Sequence, residues 1–250
     1  MNLERFKLAK AAELGRLRSH PPPPPASSAA RPRFLAPRAE DGPIRVIAEY
    51  KRASPSRGVI NERLAPEEAA ACYEAGGAAA ISVLTEEMYF HGELDFLRRV
   101  ASVCHLPQLR KDFIFDAAQV RETAATPASA LLLMVALTPD AARLRALREL
   151  TESFGMTAVV EVFDERELEI ARAAGASVIQ VNNRNLETLE VDVTAAQRLI
   201  QCKRAGEIWI SASGYETRAQ LDELVGYDAA LVGTALMEAE DPRKALEALT

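Results

Sequence analysis

Glu49 and Lys51 stand two residues apart at the end of the apolar run Val46-Ile47-Ala48, so on an extended chain both side chains leave the same face. The same transition from apolar to charged recurs downstream. Lys111-Asp112 follows an apolar stretch at 107–110, Glu161 lies within Val-Glu-Val, and Asn182-Asn183-Arg184 closes a run at 177–182. Two lysines and two glutamates with no metal-ligand spacing can protonate a carbonyl or hydroxyl oxygen, take up a proton and hold a carboxylate. A lysine near other cations and partly desolvated has a lowered pKa, which suits a general acid near neutral pH; a Schiff-base lysine is the competing role. Taken alone, Glu49 and Lys51 fit a surface salt bridge equally well. Several such groups converging on one mouth do not.

A phosphate site is the second chemistry on offer. Ser211-Ala212-Ser213-Gly214 and Gly233-Thr234 each end an apolar run, and glycine lets an oxyanion approach the backbone while a hydroxyl adds a donor. Either motif alone is a plain tight turn. Together they suit a small phosphorylated substrate anchored at one end.

These groups need a scaffold that gathers strand ends. Apolar runs fall near 45–49, 79–84, 107–110, 130–135, 157–162, 177–182, 207–211 and 229–232, with helical patterns such as Pro66–Ala75, Pro139–Phe154, Glu165–Ala174, Thr194–Lys203 and Thr217–Val225 between them. Eight strands alternating with helices predict an α/β fold closed as a (β/α)8 TIM barrel, whose site lies at the strand C-terminal ends. A doubly wound open sheet has less support, because no GxGxxG follows the first strand. Residues 44–250 are expected to form the barrel domain and 1–43 an N-terminal helical extension with a proline-rich connector. In that extension Leu3, Phe6, Leu14 and Leu17 share one stripe within about 80°, and Lys10 on the same stripe is expected to snorkel. Pro21 to Pro25 then exclude helix.

Composition removes other classes. The 250 residues are 48% hydrophobic, enough for one large core, and carry a net charge of −6 with no basic run interleaved with aromatics, so nucleic acid is not the expected partner. Cys72, Cys104 and Cys202 lie far apart and form no ligand spacing with His20, His91 and His105, which predicts neither metal nor disulfide and fits a reducing cytoplasm. No apolar stretch approaches the length of a membrane span, and the charged first 19 residues lack the apolar core of a signal peptide.

The motifs carry a family resemblance. Ile-Ala-Glu-Tyr-Lys-Arg-Ala-Ser-Pro-Ser (47–56), Ser-Val-Leu-Thr-Glu-Glu-Met-Tyr-Phe-His-Gly (82–92), Leu-Arg-Lys-Asp-Phe-Ile (109–114), Val-Glu-Val (160–162) and Val-Asn-Asn-Arg-Asn-Leu (181–186) resemble indole-3-glycerol-phosphate synthase of tryptophan biosynthesis, in unbroken order over about 44–250. The resemblance implies a cofactor-free carboxy-lyase that closes the indole ring of 1-(2-carboxyphenylamino)-1-deoxyribulose 5-phosphate with loss of carbon dioxide and water. It implies Lys111 as general acid on the ribulose carbonyl oxygen, Glu161 as general base, and Lys51 as carboxylate contact and later acid. Glu49 and Asn182 would orient lysine and substrate hydroxyls, with Arg184 and Leu186 at the mouth. Ser54, Ser213, Gly214, Gly233 and Thr234 fall on the phosphate side, and Phe90 and Phe113 would form the aromatic pocket.

Three positions depart from the family pattern. Ala212 stands where that pattern has glutamate, and losing a carboxylate beside a lysine is expected to lower that lysine's pKa. Tyr215 replaces a small aliphatic residue and is expected to fill part of the vacated space. Gln180 replaces a glycine, and the sequence offers no account of it. Two rivals follow: a catalytically weakened phosphate-binding barrel serving as partner to other tryptophan-pathway enzymes, and a phosphoribosylanthranilate isomerase-like enzyme. The second would need a cysteine and an aspartate at strand ends, and no cysteine lies at one.

Overall fold

A computed structural model describes residues 3–22, 31–39, 42–185 and 188–250. Eight parallel strands close into a barrel: β1 (Arg45–Tyr50), β2 (Ala80–Leu84), β3 (Gln108–Lys111), β4 (Ala130–Met134), β5 (Thr157–Val162), β6 (Val178–Asn182), β7 (Ile208–Ala212) and β8 (Ala229–Val232). Each strand pairs with its sequence neighbours, and β1 pairs with β8 through Ala48 opposite Val232. The α/β barrel expected from the alternation is the observed fold.

Strand periodicity divides the core in two. Ile47, Leu109, Leu132, Val159, Ile210 and Leu231 fill the barrel interior, whereas Val46, Val83, Leu133, Val160, Ile179 and Trp209 pack outward beneath the helices. Glu49, Lys111, Glu161, Gln180 and Asn182 share the parity of the inward set. Their polarity at the C-terminal end of the interior is therefore fixed by position in the strand.

Helices follow the strands: α1 (Glu4–Ala9) and α2 (Ala11–Ser19) in the extension, then α3 (Pro66–Ala75), α4 (Glu87–Phe90), α5 (Phe96–Ala101), α6 (Ala117–Ala124), α7 (Ala141–Ser153), α8 (Glu165–Ala173), α9 (Thr194–Leu199), α10 (Arg218–Asp222), α11 (Thr234–Glu238) and α12 (Pro242–Glu247). An aspartate repeatedly starts them. Asp116, Asp140, Asp164 and Asp241 each accept a backbone N–H from the first turn, satisfying donors that a helix leaves free. Asp140, not Pro139, opens α7, so the helix begins later than the proline suggests. No helix among the described residues is long and apolar enough to cross a membrane.

The extension is two short helices rather than one, joined at Lys10. Phe6, Leu14 and Leu17 are buried as the stripe requires, but Lys10 does not snorkel. It is 3% exposed and lies 2.6 Å from Asp112 and 2.7 Å from Glu13. Of the connector, only residues outside 23–30 and 40–41 are described; there Arg38 donates its backbone N–H to Asp228 at 2.8 Å.

Candidate active site

The barrel mouth holds a cavity of about 350 Å³, a size suited to a small ligand. Its floor is apolar, with Leu132, Met134 and Leu231, and its polar groups come from strand ends. Glu49 of β1 is the hub. Lys51 Nζ lies 2.8 Å from its Oε1 and Lys111 Nζ 3.3 Å from its Oε2, so one buried carboxylate holds two lysines. Burial opposes charge on Glu49, but Lys111 and then Lys51 outweigh it and hold the carboxyl down to about 2.

Lys111 reverses the expected direction. Burial lowers its pKa, yet Glu49 and then Glu161 raise it further, and the net shift is upward. Charge at this site alternates in sign, so a lysine here is held as the cation. Glu161 shifts upward too: burial dominates, opposed by Lys111 and by hydrogen bonds from Asn182 and Gln180, with Glu49 adding repulsion. Asn182 is itself fixed, its Oδ1 accepting from the Ser213 hydroxyl at 2.9 Å and the Arg184 N–H at 3.0 Å.

The loops after β7 and β8 contribute Ser213, Gly214, Gly233 and Thr234 to the cavity wall, and the loop after β1 contributes Ser54. That loop carries a small antiparallel ribbon, Ala53–Ser54 against Gly58–Val59. Ser213 and Gly214 both have positive φ, 75° and 95°. Arg184 lines the same opening with Arg57, its guanidinium donating to the Leu189 carbonyl at 2.8 Å. Leu186 lies outside the described residues. Every other residue to which the resemblance gives a catalytic or substrate-binding role lines this cavity.

Aromatic rings also line the cavity. Phe113 is 6.1 Å from Phe90 and stacks on Phe6 of α1 at 4.1 Å and 26°. The extension thus contributes directly to the mouth, a contact that a sequence stripe shows only as buried. Glu86 was also missed: it lines the cavity and caps α4, accepting the N–H groups of Met88, Tyr89 and Phe90. Arg57, Leu132, Met134 and Leu231 were missed as well, with Leu84, Leu189, Val191, Glu216 and Val232; strand parity marks Leu132, Met134 and Leu231 as inward once the strand bounds are known.

Tyr215 corrects an expectation. Its hydroxyl lies 2.6 Å from Ser211 Oγ, on the outward face of β7, and accepts from Asn183 Nδ2, just past the end of β6, at 2.9 Å. Tyr215 borders the cavity, but its ring packs with the outer core and its hydroxyl is engaged there, so it does not supply the carboxylate missing at Ala212. Asn183 likewise braces the scaffold, its Oδ1 accepting from the Ala196 N–H at 3.1 Å.

Residues 26–249 match the family model described as indole-3-glycerol phosphate synthase. The chain belongs to the indole-3-glycerol phosphate synthase family. Among relatives of that name, it is 44% identical over 211 residues to the protein of Carboxydothermus hydrogenoformans, covering 83% of this chain and 80% of that one. It is 48% identical over 205 residues to the protein of Mycolicibacterium gilvum, covering 81% and 75%. Family membership makes the chain a lyase of tryptophan biosynthesis, as the motifs imply. Solved barrels share the fold at low identity. A 3-hexulose-6-phosphate synthase superposes with a TM-score of 0.62 at 16% identity over 82% of this chain and 98% of that one. The thiamine phosphate pyrophosphorylase of Pyrococcus furiosus gives 0.59 at 21%, over 82% and 93%.

Proposed function

We propose that this barrel converts 1-(2-carboxyphenylamino)-1-deoxyribulose 5-phosphate into indole-3-glycerol phosphate, with Lys111 as general acid and Glu161 as general base. The observation that carries the assignment is the single carboxylate of Glu49 bridging Lys51 and Lys111 across an aromatic-walled cavity. Lys111, held as a cation, donates a proton to the ribulose carbonyl oxygen. The ring carbon bearing the carboxylate then bonds to the carbonyl carbon. Breaking the bond to the carboxylate releases carbon dioxide and restores the aromatic ring. Lys51 contacts that carboxylate and later protonates the departing hydroxyl, while Glu161 takes the proton released as water leaves.

The remaining residues position the substrate. Phe90 and Phe113 flank the anthranilate ring, with Phe6 backing Phe113. Asn182 and Glu49 orient hydroxyls and lysines, and Arg184 with Leu186 borders the mouth. Ser54, Ser213, Gly214, Gly233 and Thr234 hold the phosphate, an arrangement suited to the last two loops of a barrel. The working unit in this reading is the barrel of 44–250, with 1–43 as an extension that shapes its mouth. It acts in the cytoplasm, where its free thiols suit a reducing compartment and other tryptophan-pathway enzymes are at hand.

Turnover of the substrate, followed by indole fluorescence, tests the assignment. Lys111→Ala is expected to lose about 10²- to 10⁴-fold in kcat with its fold intact. Parental turnover in that variant would remove Lys111 from the acid role. Substrate binding without turnover in the parent chain would instead favour the weakened-barrel reading that Ala212 suggests.

A further inference from the structure

Gln180 sits one layer beneath Asn182 on β6, fully buried inside the barrel and in register with Glu161 of β5. Its Nε2 donates to Glu161 Oε2 at 2.6 Å, a short bond to a carboxylate. Its Oε1 is buried and has no hydrogen-bond partner among the described residues. The pattern this chain otherwise follows has glycine there, so nothing in it requires the amide. A buried amide with half its bonding capacity unused is costly, unless the protein visits a state that uses it.

A protonated Glu161 is such a state. Rotation of the amide about its last torsion exchanges nitrogen for oxygen, and the carbonyl then accepts the O–H of the carboxylic acid. We propose that Gln180 is a positioning residue for Glu161, donating to its carboxylate before proton uptake and accepting from the acid afterwards. This rests on the reading of Glu161 as the general base. The amide keeps the carboxyl in one orientation through both protonation states.

The surroundings leave that task to few groups. Lys111 from β3 faces Glu161 as a cation and Glu49 from β1 as a carboxylate, Asn182 adds a second amide, and Glu167 of α8, itself pushed up to about 7, is coupled to it as a second carboxyl. On β4 the residue in register is Met134, and on β7 the inward residue beside Asn182 is Ala212, neither of which ionises. Burial already pushes the Glu161 carboxyl up, and Gln180 is one of the groups holding it back. Removing the donor should therefore raise it further.

The test uses Gln180→Met, close in shape but without donor or strong acceptor, alongside Glu161→Gln in the full-length chain. Turnover is measured across pH for each. Gln180→Met is expected to lower kcat roughly tenfold, with KM little changed, and to move the acid limb of kcat toward higher pH. An unchanged acid limb, with or without a fall in kcat, would overturn the proposal, because loss of packing alone moves no proton equilibrium. Should Gln180→Met not fold, Gln180→Gly removes the amide and leaves no new volume to place, and the same acid-limb shift is required of it. Glu161→Gln separates the two readings. Parental turnover there would end the general-base reading itself, whereas an inactive Glu161→Gln with an unshifted Gln180→Met would overturn only the role of Gln180.

Discussion

Lys10 and Asp112 form a 2.6 Å ion pair with both side chains almost wholly out of solvent, and it fastens the N-terminal extension to the strand end that carries Lys111. Arg110 joins the same carboxylate at 3.0 Å and reaches Glu122 at 3.1 Å, so the dock is a network. Burial opposes charge on Asp112, but Lys10 and then Arg110 outweigh it and lower its pKa. Removing one partner of a buried pair strands the other. Lys10→Met is expected to cost about 3 kcal/mol in urea unfolding. It should also raise KM, because Phe6 reaches Phe113 from the same extension. A variant with unchanged unfolding midpoint and KM would mean that the extension docks by its apolar stripe alone.

How much of this was legible in the sequence depends on the range of each interaction. The period of two paired Glu49 with Lys51, and the alternation of eight apolar runs with helical patterns placed them with Lys111 and Glu161 at the strand ends of one barrel mouth. The partner of Lys10 was hidden because Asp112 is far away in sequence, and a charged residue on an apolar stripe reads locally as a snorkelling one. Tyr215 was misplaced for a different reason. Size alone suggested that it fills the space at Ala212, whereas positive φ at Ser213 and Gly214 turns the chain between the two residues, a change of direction that composition does not display. The upward shift of Lys111 depends on carboxylates from two other strands, and the bond from Gln180 to Glu161 needs the register of β5 with β6. Both are properties of closure, which a linear chain does not display.

Gly233 is held to glycine by space. Its φ of −130° is open to any residue, but a Cβ there would lie 2.5 Å from Glu49 Oε1 and 3.0 Å from Lys51 Nζ. Gly233→Ala must therefore push the carboxylate that positions both lysines. Displacement of a catalytic group by about 1 Å can cost 10²-fold in rate. Gly233→Ala is expected to lose about that much in kcat while its melting temperature stays near the parent's. Full activity in this variant would show that Glu49 can move without consequence, and would weaken its assignment as the hub.

Ala212 lies beside Asn182 at the end of β7 and faces the cavity with 2% exposure. Ala212→Glu adds a carboxylate to a mouth that contains two lysines. An added negative charge favours a lysine's cationic form, so the basic limb of kcat should move to higher pH, by about 0.5 to 1 unit. The parent chain is expected to lose activity at lower pH than this variant, because its acid lysine gives up its proton sooner. Superimposable pH profiles would show that the lysines do not sense position 212.

Glu167 offers a test of stability rather than rate. It sits in the first turn of α8, accepts the Phe163 N–H at 2.8 Å, and is pushed up to about 7, chiefly by burial. The Phe163 bond opposes that shift, while Asp164 and Glu161 reinforce it. A carboxyl whose folded pKa exceeds its unfolded value stabilises the fold fully below the unfolded value, near 4.5. That contribution fades as pH rises and is gone once pH passes about 7. Glu167→Gln keeps an acceptor for Phe163 and removes the ionisation. It is expected to match the parent near pH 4.5 and to exceed it by about 2 kcal/mol at pH 8, allowing for partial solvent screening. Calorimetric melting at the two pH values decides the matter: an equal gap at both would place the effect in packing, and no gap at either would mean that Glu167 ionises at its ordinary pKa.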